Sequence, residues 1–275
     1  MKRVGAARPV LKWAGGKSRL VDKICDWLPS EIDTYYEPFV GGAAVFFALL
    51  KQGRCRKAVL SDRNPELVNV YKAIKTDVGG VIKALSQWQY DEECYYRVRD
   101  GYKTKSRVEQ AARTIYLNKT GYNGLYRVNR SGQFNVPFGR YTNPTICDER
   151  NLRLVAECLK HVSLLVGDFE KVCKKAKEGD AVYLDPPYMP VSETAYFTSY
   201  DRHPFALAEH KRLARVFSDL AKRQVTAVLS NSDTPDTRKL FQKWSFELLQ
   251  VPRAINSRAS NRGPVSELLV VNRRG

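Results

Sequence analysis

Residues 181–188 read AVYLDPPY, and this octapeptide decides the architecture. Ala181 to Leu184 are apolar without alternation, the pattern of a strand buried on both faces. Pro186 and Pro187 must end that strand, because proline has no N–H for a ladder and a fixed φ. The turn leaves the Asp185 carboxylate and uncommitted backbone carbonyls at the sheet rim, with the Tyr188 ring close by. Acceptors for N–H groups beside an aromatic face suit a planar ring that carries an exocyclic amino group. An ordinary acidic turn after a strand is the plain alternative.

Moving outward, TYYEPF (34–39), KAVLSD (57–62), SLLVGDF (163–169) and TAVLSNS (226–232) read as further strands, each closing on a polar or turn residue. ELLVVN (267–272) reads as a last strand paired with FELLQV (246–251), and helical spacing falls at 17–28, 42–52, 64–76 and 208–223. Strands alternating with helices predict a parallel α/β sheet, whose ligands sit beyond the carboxyl ends of the strands. Glu37, Asp62, Asp168 and Asp185 are the candidates for that rim. From about 66 to 160 helical patterns dominate and no strong buried strand stands out. The expected organisation is therefore a discontinuous catalytic domain, 1–65 with 161–275, around a helical insert, 66–160.

Forty-six Lys and Arg against 29 Asp and Glu give the 275 residues a net charge of +17. Ten basic residues lie between 97 and 143, opposed by Asp100 and Glu109 alone, with seven aromatic residues among them. The last 25 residues add five arginines against Glu267. A solvated charged face usually mixes signs; this one does not, and it predicts contact with nucleic acid. Six scattered cysteines without a CxxC pair, and three unclustered histidines, predict no metal site and cysteines buried as packing residues. No apolar run is long enough for a bilayer. The expectation is a cytoplasmic protein with no membrane association and no obligatory protein partner.

Three more constellations matter. EPFVGGAA (37–44) passes from strand to helix through small residues, which lets a ligand approach the helix N-terminus. Asp62 ends the next strand, where a carboxylate can accept two ribose hydroxyls; a lone Asp there is more often a helix cap before Asn64-Pro65-Glu66. LKWAGGK (11–17) lacks the first glycine of a phosphate-binding loop, but its Trp and Lys can hold an adenosyl ring and a carboxylate.

PVLKWAGGK, EPFVGGAAVF, LSDRNPEL, NKTGYNGLYRVNRSGQFNVPFGRY, GDF, LDPPY, FTSYD and LSNSD occur in the order found in Dam-type DNA adenine methyltransferases of the D12 class. The chain resembles that family from about residue 9 to 272. The resemblance implies an α/β, seven-stranded, Rossmann-like methyltransferase sheet with a helical target-recognition insert. It implies S-adenosyl-L-methionine as methyl donor, and adenine N6 in double-stranded DNA, commonly within GATC, as acceptor. Such an enzyme would work in a bacterial cytoplasm near the nucleoid, or be phage-encoded and work in the host cytoplasm.

Carried over by motif, Trp13, Lys17, Phe39, Gly41, Asp62, Asp168 and Phe169 would line the cofactor pocket. Asp185, Pro186 and Tyr188 would grip the target adenine, with Asp185 also bordering the cofactor. Lys12, Tyr122, Asn123, Leu125, Arg127 and Pro137 match positions that enter and read the site. Lys119 and Arg130 are expected on phosphates. One departure is Ala43, where the family's loop is often F-x-G-x-G. Alanine fits if that backbone is helical and the cofactor is not pressed against its Cβ.

A cytosine-C5 enzyme needs a nucleophilic Cys, typically after Pro, and no Pro-Cys pair exists. A cytosine-N4 or RNA-adenine enzyme, or a non-catalytic DNA-binding regulator, stays open from residues alone.

Overall fold

The structure is a computed structural model that describes residues 7–13, 15–129, 131–189, 205–251 and 265–273. Its centre is a seven-stranded sheet of order β3-β2-β1-β4-β5-β7-β6. The strands are β1 (Ile32–Glu37), β2 (Cys55–Asp62), β3 (Val162–Val166), β4 (Ala181–Leu184), β5 (Thr226–Ser232), β6 (Ser245–Val251) and β7 (Val265–Val271). The first five run parallel; β7 is antiparallel to both β5 and β6. All four residues of β4 are buried, as their unbroken apolar run requires. Strand order reverses between β1 and β4, so the crevice at their carboxyl ends is the place for a ligand.

Helices α1 (Val21–Trp27) and α2 (Ala44–Lys51) flank β1, and α3 (Pro65–Leu85) follows β2. The spacing at 64–76 is interrupted because Asp77 leaves helical geometry, at φ −152° and ψ 69°. Its Oδ1 accepts the Gly80 N–H at 2.8 Å, so Asp77 caps a further turn that runs on to Leu85. Helices α4 (Glu92–Tyr96), α5 (Arg107–Thr120) and α6 (Glu149–Cys158) complete the helical part of the insert. Residues 121–147 are not helical apart from the short turn Tyr122–Gly124; isolated bridges join Gly121 to Phe138 and Val128 to Phe134. This part corrects the expectation of a helical insert: glycines and prolines in the block break it into a folded loop. After β3 come α7 (Phe169–Cys173), then α8 (Leu207–Lys222) and α9 (Pro235–Phe241).

One hydrophobic cluster runs from Ala58 and Leu60 of β2 through Leu67, Val70 and Tyr71 of α3 to Ile115 and Tyr116 of α5, and on to Val136. A second, under α7 and α8, packs the other face of β4 and β5. Four cysteines are buried, but Cys147 and Cys158 are only half-buried, which corrects the expectation that all six are core residues.

The turn after β1 carries strain. Gly41 has φ +44° and Ala43 φ +58°. Ala43 thus sits in the left-handed helical region, where its Cβ crowds the following carbonyl, and the condition set for alanine at this position is not met. Ala43→Gly should stabilise the fold by about 1 kcal/mol. A melting temperature equal to or below that of the natural protein would refute this.

Candidate active site

The β4 terminus brings its residues to one place. Asp185 leaves the strand and its Oδ1 lies 2.9 Å from Lys17 Nζ, whose side chain is only 5% exposed. Lys17 Nζ also donates to the Gly15 carbonyl at 2.6 Å and stands 4.7 Å from the Tyr188 ring centroid. The Tyr188 hydroxyl donates to Glu267 Oε2 at 2.7 Å. Met189 N–H donates to Asn231 Oδ1 at 2.9 Å, and Ser232 Oγ donates to the Met189 carbonyl. The turn is therefore held from β4, from the N-terminal arm and from the ends of β5 and β7.

Burial pushes the Asp185 carboxyl up to about 6; Lys17 restrains the shift and Glu267 adds to it. Burial, then the nearby carboxylates of Asp185 and Glu267, keep the Tyr188 phenol protonated and a donor. An amino group needs the carboxylate form as its acceptor. With Asp185 as that acceptor, the role the family resemblance implies, kcat/KM should be level above and fall tenfold per pH unit below about 6, the value of the free site. A profile flat down to pH near 4 would exclude Asp185 as the controlling acceptor.

At the switch-point crevice, Asp62 Oδ2 accepts the Gly41 N–H at 3.4 Å and Oδ1 accepts the Asn64 N–H at 3.0 Å. The cap of α3 is Asn64, whose side chain accepts from Glu66 N and Leu67 N. This rules out Asp62 itself as the cap and leaves its carboxylate beside the glycine turn. A Cβ on Gly41 would come within 2.7 Å of Trp13 Cδ1, so the turn and the Trp13 ring need glycine to meet. Tyr71 Oη donates to the Gly41 carbonyl at 2.7 Å and fixes the same turn from below. Phe39 is half-buried and stacks on Phe169, with centroids 5.4 Å apart.

The other expected pocket residues are placed less simply. Phe169 is 1% exposed and lies beneath the Arg212 guanidinium, 4.4 Å from its centroid. It forms a floor and presents no open face. Asp168 caps α7 through Glu170 N, and its Oδ2 pairs with Arg63 at 2.8 Å and with Arg212. Burial opposes its ionisation, but the hydrogen bonds from Arg63 and Arg212 hold its carboxyl below the usual range. Glu37 ends β1 but is not open at the rim as expected: it is 3% exposed, accepts from Tyr35 Oη at 3.1 Å, and burial pushes its carboxyl well above the usual range.

The residues expected to enter and read DNA gather around the turn after α5. Tyr122 is 53% exposed, Asn123 is exposed with φ +54°, and Pro137 beside them is exposed and accepts the Tyr122 N–H. Lys12 is exposed with Nζ 4.5 Å from the Tyr141 centroid, while Leu125 packs half-buried on the core. Arg127 Nε and Nη2 donate to the side chain and backbone oxygens of Asn135, at 2.7 and 2.9 Å. Lys119 is half-buried, and desolvation followed by repulsion from Lys12 lowers its pKa. Arg130 and the segment 190–204 fall outside the described residues, as do Arg253, Arg258, Arg262 and Arg274. Some of the basic run serves the fold: Arg99 pairs with Asp100, and Arg113 donates to the carbonyls of Val98 and Arg99.

Sequence reasoning missed Glu267, Arg212 and Asn118, and gave Asn231 and Ser232 no role. Glu267 had a signal. It opens an apolar strand that runs antiparallel, so its first residues lie at the carboxyl end of the parallel strands; Glu267 pairs with Ser232 there.

The family described as D12 class N6 adenine-specific DNA methyltransferase matches residues 13–255. The chain belongs to this family. It is 42% identical to the type II methyltransferase M.MjaIII of Methanocaldococcus jannaschii, over 96% of this chain and 99% of that one. It is 39% identical to M1.LlaDCHI of Lactococcus lactis subsp. cremoris, over 96% and 95% of the two chains. It is 35% identical to the DNA adenine methylase of Escherichia coli K12, over 98% and 96%. The enzyme is an adenine-specific DNA methyltransferase, and S-adenosylmethionine is its methyl donor. The crevice fits that group: a glycine turn without room for a Cβ, a carboxylate at the β2 end and an aromatic floor face it together. No described helix is long and apolar enough to cross a membrane.

Asp62→Ala should weaken cofactor binding roughly ten- to a hundredfold, the worth of a charge-assisted hydrogen bond. Turnover at saturating cofactor should change little, since such binding is uniform between ground and transition states. Equilibrium binding of S-adenosylhomocysteine measures this directly, and an unchanged dissociation constant would remove Asp62 from the pocket.

Proposed function

We propose that the enzyme methylates adenine N6 at GATC in duplex DNA, after the target base has left the helix. One observation carries the reading: a buried lysine, a carboxylate raised toward neutrality and a tethered tyrosine ring converge beyond β4 at the switch point. The bound cofactor supplies an electrophilic methyl group. The amino nitrogen of adenine is a weak nucleophile because its lone pair is delocalised into the ring. The Asp185 carboxylate and the Pro186 carbonyl accept its two N–H bonds and favour the form whose lone pair points at the methyl. Placement then supplies much of the rate. Lys17 orients Asp185 while keeping it ionised. Glu267 fixes the Tyr188 ring as a platform, and stacking on such a ring offsets about 1–3 kcal/mol per base.

A stacked base cannot reach this recess, and extruding one costs a few kcal/mol. In this reading Tyr122, which is exposed, and Leu125, which is half-buried, fill the vacated space, and residues 66–160 form the target-recognition part. The choice of GATC rests on the resemblance of the block 118–141 to Dam-type enzymes. The enzyme acts in the cytoplasm, with duplex DNA as its only required partner. Sequencing DNA from a methylation-free host that expresses the protein should show N6-methyladenine within GATC; modification confined to another sequence would overturn the site. A 2-aminopurine at the target position should brighten on binding; unchanged fluorescence would overturn extrusion.

A further inference from the structure

Asn118 lies in the last turns of α5, is 2% exposed, and bonds both the distant N-terminal arm and the turn that follows its own helix. Its Oδ1 accepts the Lys12 N–H at 2.8 Å, and its Nδ2 donates to the carbonyls of Lys12 and Gly124, both at 2.8 Å. It therefore stitches the N-terminal arm to the turn that presents Tyr122 and Asn123. The two surfaces are in tight contact: a Cβ on Gly124, which has φ +63°, would fall within 2.7 Å of the Lys12 side chain. Immediately after Lys12, Trp13 packs on Gly41 of the cofactor turn and stacks against Tyr126, centroids 5.5 Å apart. Further along the same arm, Lys17 reaches Asp185. One short segment thus touches the cofactor turn, the reacting carboxylate and, through Asn118, the reading turn.

We infer that Asn118 is a positioning residue that couples cofactor binding to DNA binding, by transmitting the seating of Trp13 to the Tyr122–Asn123 turn. The inference rests on the reading of that turn as the DNA-contacting surface. A ligand that fixes the arm then fixes the turn, and by linkage DNA must tighten cofactor binding by the same factor. A bond network between two stretches is only a route; the coupling must be measured.

The experiment is the affinity of S-adenosylhomocysteine with and without a short duplex carrying the site that methylation sequencing identifies. In the natural protein the duplex should tighten it about tenfold, within the usual range of coupling. Asn118→Asp keeps the acceptor for Lys12 N–H but turns an oxygen toward two carbonyls, and it should bring the factor to about one. Gly124→Ala, which keeps the Asn118 side chain but pries Lys12 from the turn and strains the carbonyl that Asn118 holds, should do the same. Thr114→Ala, which removes a methyl group and a bond to the Gln110 carbonyl in the same helix, should keep the full factor. Retention of the natural factor by both Asn118→Asp and Gly124→Ala would overturn the inference. So would equal loss in Thr114→Ala, which would make the effect one of general loosening. A natural protein that binds both ligands without mutual effect would overturn it while leaving the methyltransferase reading intact. Failure to bind the duplex at all would overturn the DNA-contact reading beneath it.

Discussion

Asp185→Ala should reduce single-turnover methyl transfer by a factor of a hundred to a thousand or more, and leave duplex binding nearly unchanged. The lower figure is the effect of losing one preorganised electrostatic contact, about 2.7–4 kcal/mol. Two features raise it here. Asp185 is the acceptor for the reacting amino group in the proposed mechanism, and its loss leaves Lys17, 5% exposed, without its carboxylate. An uncompensated buried ammonium repels a developing positive charge on the attacking nitrogen and destabilises the turn. Asp185→Asn separates these effects, since it keeps the shape and offers an amide oxygen. Both variants should be inactive, with Asn the better folded by thermal melting. Retention of more than about a tenth of the natural rate by the Asn variant would show that the carboxylate is not the acceptor.

The second large effect is on discrimination. Arg127 is pinned through Nε and Nη2 to Asn135, which fixes the plane of the guanidinium at the base of the turn proposed to read DNA. A guanidinium so oriented can bind guanine O6 and N7 together, worth about 1–3 kcal/mol against a wrong base. Arg127→Ala should therefore lower the ratio of cognate to single-pair-altered sites by ten- to a hundredfold. Arg127→Lys should relax it as well, because an ammonium cannot reproduce the planar fork. A phosphate contact would give a different pattern, with cognate and altered sites falling by one common factor and a shallower salt slope. That pattern would move Arg127 from base reading to anchoring.

Much of this was readable in the sequence because the decisive features are local. An unbroken apolar run ended by two prolines specifies both a central strand and the position of its terminal carboxylate. The β2 strand ends at Asp62 for the same reason, since its polar residue closes an apolar run beside a glycine turn. Helix ends were less readable where side chains cap them. Asp77 breaks a helix that its own carboxylate restarts, and periodicity alone shows only the break. Contacts across long separations were not readable at all. Asn118 reaches Lys12 over 106 positions, and Arg212 reaches Asp168 over 44. The basic run was over-read in one respect: charge counts do not show that Arg99 and Arg113 are occupied by neighbouring carboxylate and carbonyl oxygens.

The hydrophobic cluster that runs from β2 through α3 and α5 to Val136 has a consequence for recombination. α3 is at once a flank of the sheet and a wall of the insert, so no cut near residue 65 or 160 divides the molecule into separable cassettes. A chimaera that exchanges 66–160 between relatives would have to match two half-cores grown against different partners. New sequence preferences are better sought by grafting within 121–147. Both isolated bridges close within that stretch, and changes at its exposed residues, with buried Phe134 and Val136 kept, can accumulate without disturbing the sheet. In such a frame, divergence of the target site is expected to proceed by loop substitution and not by exchange of whole segments.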